Sequence, residues 1–83
     1  MNRVKILFFA TLREQAGGKK IVESEIPYGT TVRDLKASLE NTYPGLKDSM
    51  PTVLVAVNHE YAANETIIPA AAEVALFPPV SGG

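Results

Sequence analysis

The segment TVRDLKASLENTY, residues 31–43, carries the one long helical pattern in this chain, and its isolation decides the fold. Thr31 is a favoured N-cap, and Asp34 three residues later completes an S/T-x-x-D start signal. Val32, Leu35, Leu39 and Tyr43 recur at helical spacing and form one apolar stripe. Arg33, Lys36, Glu40 and Asn41 cover the opposite side. Pro44-Gly45 stops the helix, because proline cannot supply the next amide donor. A lone helix must bury its stripe against one sheet face, which predicts a two-layer α+β domain.

The flanking segments supply that sheet. Upstream, Arg3–Ala10 (RVKILFFA) is rich in β-formers; alternation puts Val4, Ile6 and Phe8 on one face and Lys5, Leu7 and Phe9 on the other. Thr11–Ala16 predicts a short helical turn capped by Gly17-Gly18. Lys19–Ile26 predicts an edge strand, its charges at Lys20, Glu23 and Glu25 discouraging stray pairing. Downstream, Leu46–Pro51 is a connector, and Thr52–Val57 is apolar on both faces, as an interior strand should be. Asn58-His59-Glu60 is a polar turn with Tyr61 just beyond, and Ala62–Ala72 is irregular with a brief strand at Thr66–Ile68. Glu73–Phe77 is the last strand. Two strands, a helix and then two or three strands give a hairpin followed by a right-handed crossover. This is a ubiquitin-like β-grasp: one main helix on a mixed four- to five-stranded sheet over residues 1–77, with an extended tail at 78–83. A ferredoxin-like split would need a second helix of comparable length.

Composition narrows the function. With 83 residues, 46% of them hydrophobic, the chain holds a single core. Eight basic against nine acidic side chains give a net charge of −1, which argues against nucleic-acid binding. The absence of Cys excludes disulfides, thiolate metal sites and side-chain thiol catalysis. A single His59 beside Glu60 does not build a metal site. The apolar runs, about five to seven residues at most, are too short to span a membrane. Ile6–Leu12 behind Arg3 and Lys5 mimics a signal-peptide core, but Arg13-Glu14 follow without a cleavage pattern, so the expectation is a buried strand in a cytoplasmic protein.

Catalytic motifs are wanting. Ser24, Ser38 and Ser49 lack a His/Asp constellation, and Gly17-Gly18-Lys19-Lys20 lacks P-loop spacing. The C-terminus stands apart. Val74–Gly83 contains no charged side chain, leaving the terminal carboxylate as its only formal charge. Pro78-Pro79 ends the ladder at Phe77, and Val80, Ser81, Gly82 and Gly83 continue as a thin end with no side chain on the last two residues. Six extended residues reach at most roughly 20 Å. Such a tail suits insertion of a carboxylate into a partner's deep pocket.

These features resemble the small subunits of molybdopterin synthase, sulfur carriers of the ubiquitin-like superfamily. The resemblance spans the chain: Leu7-Phe8-Phe9-Ala10 with Leu12-Arg13-Glu14, then Val55-Ala56-Val57-Asn58, then Glu73-Val74-Ala75 and the specific ending Phe77-Pro78-Pro79-Val80-Ser81-Gly82-Gly83. It implies that an activating enzyme uses ATP to adenylate Gly83, that a sulfur donor displaces AMP to leave a thiocarboxylate, and that a large subunit, expected in a heterotetramer, holds the tail while sulfur passes to a cyclic pterin precursor. No cofactor is then bound permanently, and neither nucleic acid nor a membrane is a partner. The sulfur carrier of thiamine thiazole synthesis shares the fold and the Gly-Gly end but lacks the Phe-Pro-Pro signature. A ubiquitin-related modifier and a passive β-grasp interaction module are the remaining alternatives.

Alternation also sends Phe9 and Phe77 to the sheet face that the helix leaves open. Neighbouring first and last strands would join them, with Tyr61 nearby. The expectation is a largely exposed aromatic patch that docks the large subunit.

Overall fold

The computed structural model describes residues 1–79. Its strands are β1 (Asn2–Phe8), β2 (Ile21–Ile26), β3 (Leu54–Val57), β4 (Glu60–Tyr61) and β5 (Glu73–Phe77); its helices are α1 (Thr11–Gln15) and α2 (Val32–Thr42). They form one five-stranded sheet in the order β2-β1-β5-β3-β4. β1 pairs antiparallel with β2 and parallel with β5, and β5 pairs antiparallel with β3. The hairpin, crossover and mixed sheet are those of the ubiquitin-like β-grasp.

α2 starts where its cap residues dictate. The Thr31 hydroxyl accepts from the Asp34 amide at 3.2 Å, and the Asp34 carboxylate accepts from the Thr31 amide at 3.3 Å, closing a capping box. Val32, Leu35 and Leu39 are buried beneath it, while Tyr43 is half-buried with its ring edge-on to Phe8 at 5.7 Å. The covered sheet face presents Val4, Ile6 and Phe8 from β1, Val74 and Leu76 from β5, and Val55 and Val57 from β3. Each such side chain contributes about 1.5–3 kcal/mol on burial, so this layer dominates stability.

Three expectations need correction. Thr66–Ile68 is not a strand: Ile67 makes a single bridge to Thr31. The carbonyls of Thr66 and Asn64 accept instead from the Val32 and Arg33 amides at 2.9 and 3.0 Å, satisfying the first turn of α2, and Pro69 has no amide with which to extend a ladder. Glu60 leaves the predicted polar turn to open β4, because Asn58 (φ 49°) and His59 (φ 72°) alone turn the chain and pair Val57 with Glu60. The connector is built of tight turns at Pro44–Leu46 and Met50–Thr52 that bury Leu46 and Met50, so β3 begins at Leu54 rather than Thr52. Gly45 is required there: a Cβ on it would lie 2.6 Å from the backbone oxygen of Gln15.

The sequence left Asn2 unremarked. It is the one buried polar side chain among the described residues, on the face of β1 that carries Val4 and Ile6. Its amide donates to the Pro69 carbonyl at 2.9 Å, and its side-chain oxygen accepts from the Ala71 amide at 2.8 Å. Both ends of the Asn2 amide thus fasten the loop that leads into β5.

Candidate functional site

The pairing registers sort the uncovered sheet face into rows. Ile21, Leu7, Ala75, Ala56 and Tyr61 lie side by side across all five strands and make an apolar row. One row toward the start of β1, Glu23, Lys5 and Glu73 adjoin, with Glu25 and Arg3 beyond them, ion-paired at 3.7 Å. In the other direction Phe77 pairs with Leu54, and Phe9 follows the end of β1. One half of the face is therefore charged and the other apolar, and the apolar half adjoins the point where β5 ends.

The two phenylalanines stack with ring centroids 4.6 Å apart and planes within 13°. Because each ring covers the other, Phe9 and Phe77 are half-buried rather than largely exposed. Tyr61, with 77% of its surface exposed, lies across the face from them. Together with Leu7, Ala56, Ala75, His59 and Glu73 these aromatics line an open groove of about 440 Å³. His59 closes the far end, its Nε2 lying 3.2 Å from the Glu73 carboxylate. Asn58 fixes that corner: its side-chain oxygen accepts from the Glu73 amide at 2.9 Å, and its own amide donates to the Glu73 carbonyl at 2.8 Å.

A depression of similar size, about 450 Å³, lies between β2 and α2 around Ser24–Thr30, Asp34 and Ser38. It touches neither β5 nor the aromatic pair. Of the expected tail, Pro78 is half-buried and Pro79 exposed; Val80, Ser81, Gly82 and Gly83, where the reactive end is expected, lie outside the described residues. Gly17 and Gly18 adopt φ of 73° and 85° as a plain turn. Among the described residues no helix is long and apolar enough to cross a membrane, and no three His, Cys, Asp or Glu side chains cluster to hold a metal.

Sequence reasoning paired Phe9 with Phe77 and placed Tyr61 beside them, and the structure brings all three to one groove. It missed Leu7, Ala56 and Ala75 as members of the same surface, which only the cross-strand register reveals. It also missed the setting of Arg13. The Arg13 Nε donates to the Phe8 carbonyl at 3.0 Å, and its guanidinium carbon lies 5.8 Å from the centroid of the Phe9 ring.

One main helix packed on a five-stranded mixed sheet in this order defines the ubiquitin-like β-grasp class of proteins. The chain matches the ThiS family over residues 6–83 and belongs to that family. It is similar, at 36% identity over 83 residues and the full length of both chains, to the molybdopterin synthase sulfur carrier subunit of Mycobacterium tuberculosis. Its structure is similar to the small archaeal modifier protein 1 of Haloferax volcanii, with a TM-score of 0.85 and 30% identity over 96% of this chain and all of that one. The fold recurs, at a TM-score of 0.71 and 22% identity over 98% of this chain and 99% of the other, in a complex of subunits 1 and 2 of the molybdopterin-converting factor from Helicobacter pylori.

Proposed function

We propose that this chain is the sulfur carrier subunit of a molybdopterin synthase, with Gly83 as its only reactive position. One observation carries the reading: a chain without any cysteine matches the ThiS family through Gly83 and is similar over its full length to a molybdopterin synthase sulfur carrier subunit. With no thiol available, sulfur is carried on the terminal carboxyl group or not at all.

A carboxylate is a poor acyl donor. In this reading a Gly83 oxygen attacks the α-phosphate of ATP in an activating enzyme, pyrophosphate leaves, and an acyl-adenylate forms. A sulfur nucleophile then attacks the acyl carbon and AMP departs, leaving a thiocarboxylate. The tail enters the large subunit, where the thiocarboxylate sulfur attacks a carbon of a cyclic pterin precursor and displaces an oxygen leaving group. Water then hydrolyses the resulting thioester, leaving the sulfur on the pterin and returning Gly83 as a carboxylate. Each carrier delivers one sulfur, so two serve each dithiolene. In this reading the body contributes no catalytic group, and its groove docks the large subunit. The name of the Mycobacterium relative and the two-subunit complex from Helicobacter support a large-subunit partner.

The test removes the terminus. Deleting Gly83, or masking it with an uncleaved C-terminal tag, should abolish thiocarboxylate formation, read as the oxygen-to-sulfur mass change after incubation with activating enzyme, ATP and a sulfur donor. The melting temperature should stay within about 2 °C of the parent, because the last strand among the described residues ends at Phe77 and Gly83 is no part of it. Full sulfur transfer from the masked chain would refute the reading. A thiocarboxylate that forms normally but gives product only with a thiazole synthase would assign the chain to thiamine synthesis instead.

A further inference from the structure

Among the described residues, Arg13 is the cation held against the aromatic end of the docking face. Its Nε is committed to the Phe8 carbonyl at 3.0 Å and its guanidinium lies 5.8 Å from the Phe9 ring centroid, while that ring stacks on Phe77 at 4.6 Å. Cation and rings therefore form one continuous group next to the exit of the tail. The side chain is half-buried, so much of its rotameric freedom is already lost in the free protein. The ion pairs among the described residues are Arg3–Glu25 and Arg33–Glu65, and neither these nor the His59–Glu73 contact involves Arg13. The neighbouring side chains on this half of the face, Leu7, Ala75, Phe77 and Leu54, carry no charge.

We propose that Arg13 is a specificity determinant of the docking face, and that the partner seated on Phe9 and Phe77 presents a carboxylate to its guanidinium. With Nε occupied, the two terminal nitrogens remain, in the fork geometry that matches a carboxylate with two parallel hydrogen bonds. An apolar partner lacking that carboxylate would desolvate Arg13 without compensation, which disfavours it. The fixed cation thereby separates the proper partner from other apolar surfaces, a discrimination that stacked phenylalanines alone do not provide. This rests on the docking of the large subunit proposed above.

The test is calorimetric titration of the cognate large subunit with the full chain at 50 and 500 mM salt. The parent should bind more weakly at high salt. Arg13→Met should bind about tenfold more weakly than the parent at 50 mM and lose most of the salt dependence, and Arg13→Lys, which keeps the charge but not the fork, should fall between. Charge reversal at the partner's opposed carboxylate should restore binding to Arg13→Glu and to no other variant. A parent affinity indifferent to salt, or an Arg13→Met affinity and salt slope equal to the parent's, would overturn the proposal. Should Arg13→Met fail to fold, the parent's salt series and Arg13→Lys decide the matter by the same criteria. If Phe77→Ala weakens binding while Arg13→Met does not, this proposal alone fails; if the parent shows no binding, the docking reading falls and takes it along.

Discussion

The two faces of the sheet are built from the same strands, yet they are given over to different ends. Along β5, Val74 and Leu76 point under α2 and are buried, whereas Ala75 and Phe77 point outward and stay half-exposed. On β1 the same split separates Val4, Ile6 and Phe8 from Leu7 and Phe9. Both faces are apolar near the end of β5, so hydrophobicity alone does not tell them apart. Number of helices does: α2 covers one face and leaves the other open. The lesson is that a period of two lets four or five consecutive residues specify a buried face and an open face independently.

The sharpest test of that division is Leu76→Ala. Leu76 is fully buried in the layer under α2, and its truncation should cost about 2–5 kcal/mol, read from denaturant unfolding. At temperatures where the variant is still folded, its affinity for the large subunit should be close to the parent's. A loss of affinity in the folded variant would mean that the two faces are coupled.

Asn2→Ala probes an exception on the buried face. Removal of its side chain takes away the hydrogen bonds to the Pro69 carbonyl and the Ala71 amide, and each such bond contributes about 0.5–1.5 kcal/mol. The damage should concentrate at the loop entering β5, seen as faster amide hydrogen exchange at Ala71 and Glu73. Uniform acceleration across the sheet would show that Asn2 supports the whole core and not that loop.

Phe77→Ala is the counterpart of Leu76→Ala on the open face. It removes half of the aromatic stack and should weaken large-subunit binding by roughly ten- to a hundredfold. Its unfolding free energy should fall by much less than for Leu76→Ala, since the ring is only half-buried. If this variant unfolds as readily as Leu76→Ala, or binds like the parent, the face is a second core and not a docking surface.

Much of this division was legible in the sequence. The limits of Glu73–Phe77 as a strand, the capping box at Thr31 and Asp34, and the Phe9–Phe77 pairing all follow from patterns that act within a few residues or across one known strand neighbour. What escaped depends on contacts between distant segments. β4 is two residues long and too short to show any period; it exists because Asn58 and His59 accept positive φ and lay Tyr61 beside Ala56. The segment around Thr66 has the β-branched residues of a strand, but its carbonyls are claimed by the start of α2. Arg13 looked like an ordinary helix residue, and only the folded chain brings its guanidinium to the Phe9 ring.

The smallest effect is expected at the corner where β1 gives way to α1, between the two faces. Ala10 has φ 53° and ψ −131°, and the Leu12 amide donates to the Phe9 carbonyl across it at 3.1 Å. Those angles match the first central position of a type II′ turn, where glycine is preferred because a Cβ is strained. Such strain costs on the order of 1–3 kcal/mol, while glycine adds about 0.4–1 kcal/mol of unfolded-chain entropy to be lost on folding. The relief is the larger quantity, and Ala10 is exposed, so no packing is lost with its methyl group. Ala10→Gly should therefore stabilise the domain by about 1 kcal/mol and raise the melting temperature by roughly 4–8 °C. Phe9 and Arg13 flank this turn, so large-subunit affinity measured on the same variant reports whether the turn also aims them. Unchanged affinity with a higher melting point would make Ala10 a purely structural strain. A loss of affinity alongside the gain in stability would show that the strained corner holds the aromatic end of the docking face in place, and a fall in melting temperature would mean that the turn relaxes in solution to angles that alanine tolerates.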